Sequence, residues 1–182
     1  MPGYELIGTE EFAEIEHLFK ESKILFRHGF DNLRNGVYKV KQFEQEFSKR
    51  MKVSKSLAVT SGTSAIRVAL AALGIKSGDE VITQSFTFVA TVEAIIESRA
   101  IPVITEIDKT LNMDPDNLES CITDKTKAII VVHMLGVPAR LKEIQKIADS
   151  YQIPLIEDTA WGCGGYYDQI PLGTYGAIGT YS

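Results

Sequence analysis

The sequence predicts an α/β fold, a three-layer sandwich with a mostly parallel sheet between two layers of helices. Beyond Lys55 short apolar runs of about four to six residues alternate with helical segments of about ten, the pattern of a parallel sheet covered on both faces. The 182 residues suffice for one domain of ordinary size, and a domain of about 150 residues buries about 70% of the surface its unfolded chain exposes. With 45% hydrophobic and 24% charged residues and 6 prolines, the composition is that of a folded globular chain.

The elements follow in order. From Glu10 to about Phe26, Phe12, Ile15, Leu18, Phe19 and Leu25 recur at helical spacing, and acids crowd the first turn, where the helix dipole favours them. After a loop containing Gly29 and Gly36, the segment Tyr38 to Met51 repeats the pattern through Val40, Phe43 and Phe47. Then comes the alternation: SLAVT, SAIRVALAALGI, EVITQ, FVATVEAIIESR, IPVITEI, PDNLESCI, KAIIVVHM, ARLKEIQKIADSYQ, IPLIED and AIGTYS. Crossovers between parallel strands are right-handed almost by rule, and ligands of open sheets gather beyond the carboxyl ends of the strands. The stretches to search are therefore Thr60 to Ser64, Gln84 to Phe88, Val132 to Gly136, Asp158 to Gly165, and Tyr181 with Ser182.

Several function classes are disfavoured. A net charge of -5, with Lys and Arg scattered among acids, argues against a nucleic-acid surface. The N-terminus MPGYELIGTEEF has no apolar core behind a basic start, and no run approaches the ~18 apolar residues of a membrane span, so a cytoplasmic location is expected. Cys121 and Cys163 stand far apart without a CxxC spacing, and His17, His28 and His133 are isolated. Neither a disulfide framework nor a metal site is expected, and both thiols read as small buried hydrophobes.

Four features could carry chemistry. Ser61, Gly62, Thr63 and Ser64 follow an expected strand and open a helix, so backbone N–H groups and hydroxyls meet at a positive dipole end. That suits a phosphate, and it equally suits a plain helix cap by Thr60 or Ser61. Asp158 ends an apolar run beside Glu157, and strand alternation sends the two carboxylates to opposite sides. A carboxylate there can hold a cofactor's ring nitrogen protonated; the bland reading is a turn acid for Thr159 to Gly165. Phe86 and Phe88 could cover a planar ring, with at least one of them expected in the core. His133 lines the same crevice or is a hydrogen-bonded structural histidine.

Taken together, these residues resemble the first half of a pyridoxal-phosphate enzyme of the aspartate-aminotransferase fold, and more narrowly the DegT/DnrJ family of nucleotide-sugar aminotransferases. The resemblance runs from about Leu25 to Ser182 through SGTSAIRVALAALGIKSGDEVI, FTFVATVEAI, IPVITEID with LNMDPDNLES, TKAIIVVHMLGVPA, IPLIEDTAWGCGG and PLGTYGAIGTYS. It implies that Gly62, Thr63 and Ser64 hold the phosphate of pyridoxal 5'-phosphate with help from Ser182. Phe88 would stack on the ring, and Asp158 would pair with its nitrogen. The family's residue three beyond this aspartate, usually Gln or His, contacts the cofactor or the substrate; here it is Trp161.

The resemblance also implies an N-terminal helical segment (1–50) and an incomplete cofactor-binding large domain (51–182), without the last strands and the small C-terminal domain. The family's Schiff-base lysine would follow a few residues after Ser182, so no catalytic residue is assigned within the chain. Its partners would be a nucleotide-linked keto sugar and an amino donor such as glutamate, with a homodimer as the intact form and no nucleic acid or membrane. Two other readings stand beside amino transfer: a deoxysugar 3-dehydratase, in which histidine replaces that lysine, and a non-catalytic module that binds the cofactor without covalent attachment.

Overall fold

The alternation of apolar runs produces strands and helices in a computed structural model that describes residues 4–182. The chain divides into two units, Met1–Ala58 and Val59–Ser182. Residues 1–3 of the expected helical segment lie outside the described residues.

In the first unit the two amphipathic stretches form helices α1 (Thr9–Glu21) and α2 (Lys39–Met51). The α1 helix opens with Glu11 accepting from the Gly8 N–H at 2.8 Å, and it ends at Glu21 rather than near Phe26. Just beyond, Lys23 takes a positive φ of 57°, which breaks the helical path. Lys39 pairs with Glu14 and Arg27 with Glu44, and Glu44 also accepts from the Ala58 N–H at 2.8 Å. Phe12, Ile15, Phe19 and Phe43 remain exposed.

The second unit carries helices α3 (Gly62–Ala72), α4 (Val89–Glu97), α5 (Pro115–Leu118) and α6 (Leu141–Ser150). Its strands are β1 (Glu80–Gln84), β2 (Ile101–Thr105), β3 (Thr126–Val132), β4 (Leu155–Asp158), β5 (Tyr166–Tyr167), β6 (Ile170–Pro171) and β7 (Ile178–Thr180). Five of them form one parallel sheet in the order β2-β1-β3-β4-β7, and β5 and β6 make a small antiparallel hairpin.

Side-chain alternation sorts the core into the expected layers. Val81, Ala128, Ile130 and Ile156 pack with Ile66 and Leu70 of α3 and Ala94 and Ile95 of α4. The intervening residues Ile82, Ile129, Val131 and Leu155 point to the other face, against Leu141, Ile144 and Ala148 of α6 together with Met113 and Leu118. The chain leaves β1 for β2 and returns on the other side of β1 as β3, so the strand order reverses there. Such a reversal opens a crevice at the carboxyl ends. Gln84, the last residue of β1, ties the segments together there: its amide donates to the carbonyls of Phe86 (3.0 Å) and Leu111 (3.3 Å) and accepts from the N–H groups of Met113 (3.2 Å) and Val132 (3.1 Å).

Three local expectations are corrected. Among the described residues no strand forms over 56–60, the SLAVT run. A strand needs a ladder partner, and these residues instead give the Ala58 N–H to the Glu44 carboxylate and the Ser56 hydroxyl to the Glu44 carbonyl. The PDNLESCI helix is only the short α5, capped by Asp114 with Pro115 in its first turn, followed by a 3-10 turn over Glu119–Cys121. Cys163 is exposed rather than buried, because it lies in the turn after β4, while Cys121 is half-buried; both are free thiols. Among the described residues no helix is long and apolar enough to cross a membrane, and no group of three or more His, Cys, Asp or Glu could hold a metal ion.

Candidate active site

The start of α3 is a knot of small polar groups. Ser61 is extended (φ -165°) and caps the helix, its Oγ accepting from the Ser64 N–H at 3.1 Å and donating to the Ser64 Oγ at 3.0 Å. Thr60 Oγ1 lies 3.1 Å from the same Ser64 Oγ. The cap is therefore real, and it leaves the first-turn amides of Gly62 and Thr63 without intrahelical carbonyls to satisfy them. A Cβ placed on Gly62 would stand 2.8 Å from the Cβ of Ser182 and 3.1 Å from its Oγ. Only glycine lets residue 182 stand that close to the helix start. Ser182, far from Gly62 in sequence, thus meets it at the start of α3, where Thr63 and Ser64 follow and the helix dipole is positive.

Asp158 and Glu157 point to opposite sides of β4, as alternation requires. Asp158, 6% exposed, accepts from the Thr91 hydroxyl at 2.9 Å and from the Ala160 N–H at 3.2 Å. Burial pushes its carboxyl above the usual aspartate range, and the bonds from Ala160 and Thr91 only partly offset that. The turn-acid role is present as well, through Ala160. The Thr91 hydroxyl is 3.1 Å from that of Thr87, and the Thr91 N–H donates to the Phe88 carbonyl at 3.2 Å.

Phe88 is the N-terminal cap residue of α4, one turn from Thr91, and is 65% exposed. Phe86 is 42% exposed, so neither phenylalanine is in the core as one of them was expected to be: both follow the last residue of β1, where no layer covers them. Trp161 lies three residues past Asp158 with its side chain about half exposed, and its carbonyl oxygen stands 3.2 Å from where a Cβ on Gly136 would be. The structure brings Phe88 to the Asp158 neighbourhood through Thr91 and Ser182 to the α3 start through β7. Among the described interactions none ties the Trp161 ring to Asp158.

Glu157 and His133 are wholly buried and bonded to each other, His133 Nε2 to Glu157 Oε2 at 3.1 Å. His133 is thus the structural histidine of the two alternatives. Burial alone would push the Glu157 carboxyl up; the bonds from His133, Gly176 and Gly173 outweigh it and hold the group below the usual glutamate range.

Sequence reasoning missed Thr91, and it included Gln84 in a stretch to search without assigning it a role. Each is an ordinary polar residue in an apolar run, and each acquires its partners from segments remote in sequence, Asp158 for Thr91 and Val132 for Gln84. A buried polar side chain requires such partners, so a polar residue at the end of an apolar strand (Gln84) or within an apolar helix (Thr91) was the available signal.

Comparison with known proteins follows the same lines. The DegT/DnrJ/EryC1/StrS aminotransferase family matches residues 25–182. The L-glutamine:2-deoxy-scyllo-inosose aminotransferase of Streptomyces kanamyceticus is 38% identical over 143 residues, 78% of this chain and 34% of its own length. Among solved structures, an aminotransferase from Psychrobacter cryohalolentis superposes with a TM-score of 0.88 at 31% identity, over 100% of this chain and 43% of that one. The E. coli GDP-4-keto-6-deoxy-D-mannose-3-dehydratase with bound hydrated PLP does so with a TM-score of 0.83 at 30% identity, over 97% and 44%. The chain spans less than half the length of each of these three proteins. On the match over residues 25–182, the chain belongs to the DegT/DnrJ/EryC1/StrS aminotransferase family.

Proposed function

We propose that the protein binds pyridoxal 5'-phosphate at the carboxyl ends of β4 and β7 and that its intact form transfers an amino group, from glutamate as donor, to a keto sugar carried on a nucleotide. The observation that supports this most is the pairing of two sites in one unit: a glycine-opened helix start with Ser182 against it, and a buried Asp158 beyond β4. The residues fit the cofactor. The space a Cβ would take at Gly62 is closed by Ser182, which leaves amides and hydroxyls as the facing groups.

In this reading the N–H groups of Gly62 and Thr63, with the hydroxyls of Ser64 and Ser182, hold the phosphate. Phe88 covers the ring, and Asp158 keeps its nitrogen protonated. Bound pyridoxal phosphate supplies an electron sink for chemistry next to an amine. Thr91 holds the Asp158 carboxylate in place from α4. Trp161 borders the substrate side of the ring in place of the family's polar residue.

None of the lysines of residues 1–182 falls in the segments that form this seat. We accordingly propose that these residues alone bind the cofactor without covalent attachment and do not turn over, and that the intact protein is a cytoplasmic homodimer.

A second reading is favoured by the likeness to the E. coli GDP-4-keto-6-deoxy-D-mannose-3-dehydratase. One experiment separates the readings. The intact protein, loaded with pyridoxal phosphate, is incubated with glutamate or glutamine and a GDP- or dTDP-linked 4-keto-6-deoxy sugar, and the product is weighed by mass spectrometry. Replacement of the carbonyl oxygen by an amino group supports the proposal. Loss of a hydroxyl without gain of nitrogen supports the dehydratase, and an unchanged sugar with no cofactor bound contradicts both.

A further inference from the structure

Glu157 is a buried charge on the side of β4 away from Asp158, and it touches nothing in the proposed cofactor seat. Each of its oxygens nevertheless takes two donors. Oε2 accepts from His133 Nε2 at 3.1 Å and from the Gly173 N–H at 2.9 Å, and Oε1 accepts from the N–H groups of Tyr175 at 2.7 Å and Gly176 at 2.8 Å. The Ala139 N–H donates to His133 Nδ1 at 3.2 Å, so the imidazole proton sits on Nε2 and points at the carboxylate. The histidine is therefore a one-directional donor.

Three of these four donors are backbone amides of a single loop, residues 173–176, which leads into β7. That strand has three residues and joins the sheet through Ile156 with Ile178, Glu157 with Gly179, and Asp158 with Thr180. So short a ladder specifies its register weakly, and a slip of one residue would turn every side chain to the other face. Two residues beyond β7 the chain reaches Ser182, whose Cβ stands 2.8 Å from the Cβ position of Gly62.

We propose that Glu157, oriented by His133, is a positioning residue: it fixes the 173–176 loop, sets the register of β7 and so places the Ser182 hydroxyl at the start of α3, where the phosphate is held. The inference rests on the phosphate-seat reading given above. Glutamine cannot substitute. An amide has one accepting oxygen, and whichever way it lies its NH2 faces two donors.

The test compares affinity for pyridoxal phosphate with affinity for pyridoxal, which lacks the phosphate, in the intact protein and its E157Q, S182A and E157Q/S182A variants. Wild type is expected to prefer the phosphorylated form. E157Q is expected to lose about tenfold of that preference, the size of one hydrogen bond to a charged group, with pyridoxal affinity unchanged. Because Glu157 acts through Ser182, the double variant is expected to lose no more than S182A alone.

A drop in affinity for both ligands marks a merely structural role and overturns the inference, as does a double variant whose losses multiply. If E157Q does not fold, H133L, whose side chain has no donor, withdraws the His133 contact from that carboxylate: a partial loss of preference supports the proposal, and an unchanged preference overturns it. A wild-type protein without any preference contradicts the phosphate-seat reading itself, which is a distinct result.

Discussion

At the scale of single residues the informative group is Asp158, whose charge is held out of water by a Thr91 hydroxyl and an Ala160 N–H. Its carboxyl keeps its proton to higher pH in the folded state than in the unfolded chain, where the ordinary value is 3.8. As pH rises from 3.8 through the raised value, the folded state binds more protons than the unfolded one, so this group's contribution to stability falls across that window and stays low above it. D158N removes the titration. Glu157, shifted in the opposite direction, is common to both proteins and cancels in the comparison. Cofactor-free D158N is therefore expected to melt progressively higher relative to wild type as pH rises through the window, then to hold a constant gap; a gap independent of pH in thermal melts would contradict the assignment. The same substitution is expected to weaken pyridoxal phosphate binding by about 10- to 100-fold, as loss of a hydrogen bond between charged groups does.

At the scale of elements, β7 docks by glycines. A Cβ on Gly179 would stand 2.0 Å from the Gly173 carbonyl oxygen, and one on Gly176 would stand 2.6 Å from that of Leu155. Both obstacles are backbone, so they yield only if strand and loop separate. G179A is expected to destabilise the protein by about 1–3 kcal/mol, seen as a lower urea midpoint; an unchanged midpoint would mean that β7 is not packed this tightly.

The sequence made some of this legible. The runs EVITQ, KAIIVVHM and IPLIED are strands because each has enough apolar residues to be buried on both faces, and their alternation separates Val81 from Ile82 and Glu157 from Asp158. SLAVT has the same local texture and forms no strand, since strand formation depends on a partner that periodicity does not reveal. The bond from Thr91 to Asp158 and the contact of Gly62 with Ser182 are products of tertiary packing. The first was missed, and the second was expected through the family resemblance alone.

At the scale of the whole molecule, the residues assigned to the cofactor all lie in the unit Val59–Ser182, whose sheet is closed on one face by α3 and α4 and on the other by α6. Two of the helices that cover the sheet, α3 and α4, carry at their starts the Gly62–Ser64 cluster and Thr91, so the core that stabilises the unit also fixes the distance between phosphate seat and Asp158. That arrangement gives a rigid base for binding, with function carried by the loops at the strand ends. The central claim is that one cofactor joins these two places. A crystal structure of the protein grown with pyridoxal phosphate tests it most directly. The account predicts the phosphate within hydrogen-bonding distance of the Gly62 and Thr63 amides and the Ser182 hydroxyl, with the ring nitrogen against Asp158 and Phe88 over the ring; a cofactor bound elsewhere, or one whose ring nitrogen does not meet Asp158, would contradict it.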